Sequence, residues 1–136
     1  MNAFRFPVRV YYEDTDAGGV VYYANYLKFM ERARTEWLRT LGFEQDALMR
    51  DPGVLFAVRR VEVDYLRPAR FNDALTVVAR MVERGRASLT FEQEILREPD
   101  GELLSRGRIR IACLDAASFR PAPLPEVIQE KLTHVV

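Results

Sequence analysis

A chain of 136 residues suits a single domain and can bury roughly two-thirds of the surface its unfolded form exposes, so it needs no covalent staples. Lys and Arg total 20, Asp and Glu total 20, and the formal net charge is zero; no basic balance points to nucleic acid, and little charge repulsion opposes self-association. The lone Cys113 excludes an internal disulfide, no metal site is expected from it and the lone His134, and no apolar run approaches the roughly 18 residues of a membrane span. With no signal-like apolar segment at its N-terminus, the chain is expected in the cytoplasm.

Residues 4–13 alternate, with Phe4, Phe6, Val8, Val10 and Tyr12 on one face and Arg5, Arg9, Tyr11 and Glu13 on the other, which predicts a strand. A loop at 14–23 follows. A helix is expected from about residue 23–25 to 41, because Tyr26, Phe29, Met30, Ala33, Trp37 and Leu41 recur at three- and four-residue spacings. Lys28, Glu31, Arg32, Arg34 and Glu36 supply its polar side, and Gly42 with Phe43 predicts a Schellman ending. Such a helix is roughly 25 Å long, about the width of five strands, so one helix can cross one face of a five-stranded sheet. A short helix at 45–49 and a turn at Asp51-Pro52-Gly53 lead into four strands, at 54–65, 74–83, 87–97 and 102–114.

In the first of these four strands the apolar phase switches at Arg59-Arg60, which predicts a bulge. Leu89, Phe91, Gln93 and Ile95 share one phase of the third, while Ile109, Ile111 and Cys113 oppose Arg106, Arg108 and Arg110 in the fourth. Short turns at 84–86 and 99–101 require antiparallel neighbours. After Leu114 come Pro121, Pro123 and Pro125, and a tail at 121–136 that is helical from about 125 to 132. His134 is read as solvated. The class is therefore α+β, one domain over 1–136, whose long strands leave edges for a second copy to cover.

The stretch 11–37 carries the chemistry. Asp14 and Asp16 close the first strand, Gly18 and Gly19 follow at once, and the helix then begins. Unpaired amides at a helix N-terminus can hold an oxygen that is gaining charge, and a carboxylate beside them fits acyl transfer. Taken alone, these residues also fit an ordinary strand-to-helix loop with solvated acids.

The run from Val8 through Asp14-Thr15-Asp16-Ala17-Gly18-Gly19-Val20-Val21-Tyr22 to Tyr26, Phe29 and Glu31-Arg32-Ala33-Arg34 resembles the hotdog-fold acyl-CoA thioesterases. Within them it resembles the 4-hydroxybenzoyl-CoA thioesterase group and most of all its YbgC, Tol–Pal-associated branch. The resemblance reaches to about Leu114. It implies a long helix wrapped by a curved five-stranded antiparallel sheet, assembled as a homodimer or homotetramer.

It also implies that Asp16 attacks the thioester or activates water, that the Tyr23 backbone N–H polarises the carbonyl, and that Gly19 gives the loop its close approach. Asp14 is read as structural, and Tyr22 and Tyr26 as pocket wall or core. Where that branch commonly has histidine this chain has Tyr23, so no side-chain acid or base is supplied there. Glu31 and Glu36 read as a charged helix face. Coenzyme A belongs to the substrate, no cofactor is expected, and its phosphates would call for Arg59, Arg84 or Arg86, with Arg60, Arg67, Arg70, Arg106, Arg108 and Arg110 as further candidates. The competing reading is a non-catalytic hotdog module that binds an acyl group or an acyl carrier protein.

Overall fold

A computed structural model of the chain describes residues 3–132, so the reading of His134 lies outside the described residues. The elements run β1 (Phe4–Arg9), a 3-10 turn (Tyr12–Asp14), α1 (Asn25–Thr40), α2 (Gln45–Arg50), β2 (Val54–Tyr65), β3 (Ala74–Arg84), β4 (Ser88–Glu98), β5 (Glu102–Asp115) and α3 (Glu126–Leu132). One five-stranded sheet has the order β1-β3-β4-β5-β2, and every neighbouring pair is antiparallel. This is the five-stranded α+β arrangement expected, with two short helices beside the long one.

The order places β1 and β2 at opposite edges, although only α1 and α2 separate them along the chain. The chain therefore crosses the inner face through α1 and returns through residues 66–73. That return segment is tied to the end of β5 by the Leu66 and Arg67 amides, which donate to Leu104 O at 2.9 and 3.0 Å. Its far end meets β1, where Val10 N donates to Asp73 O and Asn72 N to Val10 O, both at 3.0 Å.

Helix α1 buries Tyr26, Phe29, Met30, Ala33, Trp37 and Leu38. These meet Leu75, Val77, Phe91, Ile95, Ile109 and other inward residues in one continuous core. The Trp37 ring stands edge-on to Phe91 with centroids 5.0 Å apart. Truncating so large a buried side chain costs about 3–5 kcal/mol, so Trp37→Ala should weaken this seam severely. The helix ends in the expected Schellman motif: Gly42 takes φ +96°, its N–H donates to Arg39 O at 2.9 Å, and Phe43 N–H donates to Leu38 O at 3.2 Å. Leu38 takes the buried place expected of Leu41, which is half-buried at the helix end.

The first strand is shorter than its alternation suggests. It stops at Arg9, and Tyr12 at 79% exposed is not a core residue. The cause is local: Asp14 Oδ2 accepts the Tyr11 N–H at 2.8 Å, and Asp14 N–H donates to Tyr11 O at 2.9 Å. A side chain that bonds nearby backbone offers it an alternative to the ladder, and the chain turns. The bulge in β2 falls where the phase switch put it, since Val58 pairs Ile111 and Arg60 pairs Arg110, leaving Arg59 as the extra residue. Helix α3 closes one end of the core with Ile128 and Leu132.

Candidate active site

The loop after the 3-10 turn is a miniature hairpin. Thr15 and Val21 form a bridge, Asp16 N–H donates to Val20 O at 2.9 Å, and Gly19 N–H donates back to Asp16 O at 3.0 Å. Gly19 sits at φ +79°, the left-handed position that closes a tight turn of this kind. Its role is therefore conformational. Beside it, Gly18 N–H donates to Asp16 Oδ1 at 2.8 Å, and a Cβ at that position would stand 3.2 Å from that oxygen. Asp16 is thus an exposed carboxylate with one oxygen pinned by its own loop.

The loop is held from two sides. Val21 N–H donates to Ala69 O at 2.9 Å and Val20 bridges Arg70, so the return segment lies beneath it. On the helix side, Asp14 O accepts both Tyr22 N–H and the Asn25 side-chain amide at 2.9 Å. Asp14 is structural, as expected. Helix α1 has Ala24 at its N-cap with no side-chain cap. The Asn25 N–H donates to Tyr22 O and the Leu27 N–H to Ala24 O, whereas the Tyr23 and Ala24 amides donate to no acceptor among the described residues. Uncapped donors therefore stand a few residues from the Asp16 carboxylate.

An aromatic wall flanks the loop. Tyr23 lies 6.1 Å from Tyr65 and Tyr26 lies 5.4 Å from Tyr65, centroid to centroid, with Tyr22 against Tyr23 at 4.9 Å. Tyr22 and Tyr23 are exposed, and the hydrogen bond with Tyr23 raises the Tyr22 phenol. Tyr26 is buried core, and its hydroxyl accepts the Ala69 N–H at 3.0 Å. Burial raises the Tyr26 pKa most, and the charges of Asp73 and Asp16 add to it, so this hydroxyl keeps its proton in the field of the Asp16 carboxylate. Tyr65 joins this aromatic wall although nothing in the sequence marks it beyond its place at the end of an edge strand.

The arginines divide by position. Arg70 and Arg67 lie on the segment under the loop, with Arg67 3.6 Å from Glu102. Arg84 and Arg86 sit at the β3–β4 turn, at the other end of β3 from the loop, where Arg84 Nη1 donates to Gln129 O at 3.3 Å. A single protomer does not bring them to Asp16. Arg59 is exposed in the β2 bulge, midway along the edge. Arg106 pairs with Asp64 at 3.4 Å and Arg108 with Glu83 and Glu92 at 2.7 and 2.8 Å, so the solvent face of the sheet holds their charges. Glu36 pairs with Arg39 and Glu31 accepts the Thr35 hydroxyl, which leaves both on the helix surface. No metal-ligating cluster occurs among the described residues.

A carboxylate on a rigid loop, donor amides at a helix start and an aromatic wall suit attack on a carbonyl with charge building on its oxygen. Comparison with known proteins agrees in kind. A family model described as thioesterase-like superfamily matches residues 10–132. The acyl-CoA thioesterase YbgC of Haemophilus influenzae is 43% identical over 134 residues, covering 98% of this chain and 97% of that protein. The acyl-CoA thioester hydrolase YbgC of Escherichia coli is 46% identical over 125 residues, covering 92% of each. A crystal structure of a probable thioesterase from Bartonella henselae superposes with TM-score 0.86 at 36% identity, covering 91% of this chain and 100% of that one.

Proposed function

Since the chain belongs to the thioesterase-like superfamily, with the hotdog fold, and is an acyl-CoA thioesterase, we propose that Asp16 carries its hydrolysis of acyl-CoA to free acid and CoA. The feature behind this reading is the pinned Asp16 carboxylate on the loop that leads into α1, whose first amides carry no side-chain cap. Oδ1 is engaged by Gly18, which leaves Oδ2 to act. It either attacks the thioester carbon, giving an acyl–aspartyl anhydride that water opens, or takes a proton from an attacking water. In both courses the carbonyl oxygen gains charge beside the Tyr23 N–H, and the thiolate of CoA leaves. Preorganised amide donors of this kind contribute about a hundredfold to a thousandfold in rate each. Tyr23 acts through its backbone, so the replacement of histidine by tyrosine leaves this part intact.

The reading includes a homodimer built on β2. Both edges of the sheet are open, but β1 has six residues and Pro7, which lacks a donor, whereas β2 has twelve residues and no proline. Val58 at 51% and Val61 at 39% exposure lie along it beside Tyr65. Antiparallel pairing of β2 with its copy would cover that strip and set the Tyr65 end of one protomer, with its loop, against residues 54–58 of the other. Arg59, Arg67 and Arg70 then border the entrance where phosphates arrive. A cytoplasmic location belongs to the same proposal; no helix among the described residues is long and apolar enough to cross a membrane.

The test is thiol release from a panel of acyl-CoAs. Turnover by the wild type and its near-abolition in Asp16→Ala is expected. Equal turnover by both would remove Asp16 from the chemistry, and binding without turnover by the wild type would favour a non-catalytic acyl-binding module.

A further inference from the structure

Between the C-terminal half of α1 and the sheet lies a cavity of about 90 Å³. Phe56, Phe91 and Ile111 make most of it apolar, yet Arg34 reaches into it. Arg34 is largely buried, and burial lowers its guanidinium to about 10, so it is still a cation at neutral pH. Its orientation is fixed: Nη1 donates to Gln93 Oε1 at 2.9 Å, and Gln93 Nε2 donates to Met30 O at 3.0 Å. A guanidinium has five N–H donors, and this is the one bond found for Arg34 among the described residues. No sealed side-chain nitrogen or oxygen among those residues lacks a partner. The other Arg34 nitrogens are therefore not sealed away from solvent, and Arg34 is one of the residues that line the cavity. Glu31, which also lines the cavity, favours the charge from nearby. Leaving guanidinium N–H groups without acceptors beside a largely apolar wall is costly until an acceptor meets them.

We propose that this cavity receives the tail of the acyl group, and that Arg34 selects short acyl groups whose tail, beyond the thioester carbonyl, carries a hydrogen-bond-accepting oxygen. The proposal rests on the thioesterase reading and on the β2 dimer. The cavity opens beside Val58, on the edge where the second copy would pair. That pairing brings Asp16 and Tyr23 of the second copy to its mouth, whereas within one protomer Arg34 lies nine residues along α1 from Asn25, about 13 Å from the helix start. At about 90 Å³ the cavity is well below the roughly 300–1,000 Å³ of pockets that hold drug-sized ligands, so it suits a short tail.

The experiment compares kcat/KM for butyryl-, 3-hydroxybutyryl- and succinyl-CoA in the wild type, Arg34→Met and Arg34→Lys. Ratios between substrates within one preparation are independent of the fraction folded, so a loss of stability in Arg34→Met does not obscure them. The wild type should favour an oxygen-bearing tail over butyryl by about tenfold, the worth of one charge-assisted hydrogen bond. Arg34→Met should bring that ratio to one or below, and Arg34→Lys should retain part of it. Preference for succinyl identifies a carboxylate as the natural terminus, and preference for 3-hydroxybutyryl a neutral oxygen. A wild type that favours butyryl, or a ratio that Arg34→Met leaves unmoved, overturns the proposal. If no ester is cleaved, calorimetric Kd ratios for the same esters decide: a preference that Arg34→Met abolishes upholds the role of Arg34 while refuting hydrolysis, and no preference overturns both.

Discussion

Gly18 and Gly19 are adjacent, yet alanine at each should damage a different property. At position 19 an added Cβ meets nothing within 4 Å, but the backbone stands at φ +79°. The cost is conformational, about 1 kcal/mol, which lowers Tm by roughly 3 °C in a domain of this size. At position 18 no positive φ is required, and the added Cβ would stand 3.2 Å from Asp16 Oδ1. That is closer than ordinary contact, so the carboxylate must give by a few tenths of an ångström. Stability should move by less than about 0.5 kcal/mol, because alanine also narrows the unfolded ensemble. The rate should fall by about tenfold, since small misplacements of a reacting group are expensive. Thermal melts and thiol-release assays on Gly18→Ala and Gly19→Ala, run side by side, check this. A fully active Gly18→Ala, or a Gly19→Ala that melts with the wild type, would refute the division of labour.

Three further outcomes follow from the same geometry. Tyr26→Phe removes the acceptor for the buried Ala69 N–H and should cost about 1–3 kcal/mol, read by urea denaturation, with the loop loosened above the return segment. Val61→Lys places a charge on the open β2 edge and should shift the protein towards monomer in sedimentation while reducing turnover; an unchanged dimer with Val61→Lys would move the interface elsewhere. Cys113 is fully buried and burial raises its thiol pKa, so it should react with a disulfide reagent at pH 8 only as the domain opens, and the rate should rise in urea before the transition midpoint.

Much of this architecture is legible in the residues, and the exceptions have physical causes. The β2 bulge shows as a phase switch at Arg59-Arg60, and the end of α1 shows in Gly42-Phe43, because both features are set by local backbone needs. The early end of β1 does not show, since alternation continues to Tyr12 while a side-chain bond from Asp14 turns the chain. Arg34 reads as part of a polar helix side, yet it lies one residue from Ala33 and inserts beside the sheet. A signal for it does exist: Gln93 occupies the apolar phase of β4 between Phe91 and Ile95, and a polar residue there needs a buried partner. Pattern alone does not say which amide of the Gly18-Gly19 pair faces the carboxylate, and it is that of Gly18. Arg84 and Arg86 are attractive by charge, but the length of β3 separates them from the loop within one protomer.

The most direct test replaces only the charge at position 16. Asp16→Asn keeps the size of the side chain and an oxygen to accept the Gly18 N–H, so folding and acyl-CoA binding should persist, with KM within about threefold of wild type. The thiol-release kcat should fall by about a thousandfold or more, as expected when the reacting group itself is removed. An Asp16→Asn protein that is folded, binds acyl-CoA and releases thiol within a few fold of the wild-type rate would contradict the account.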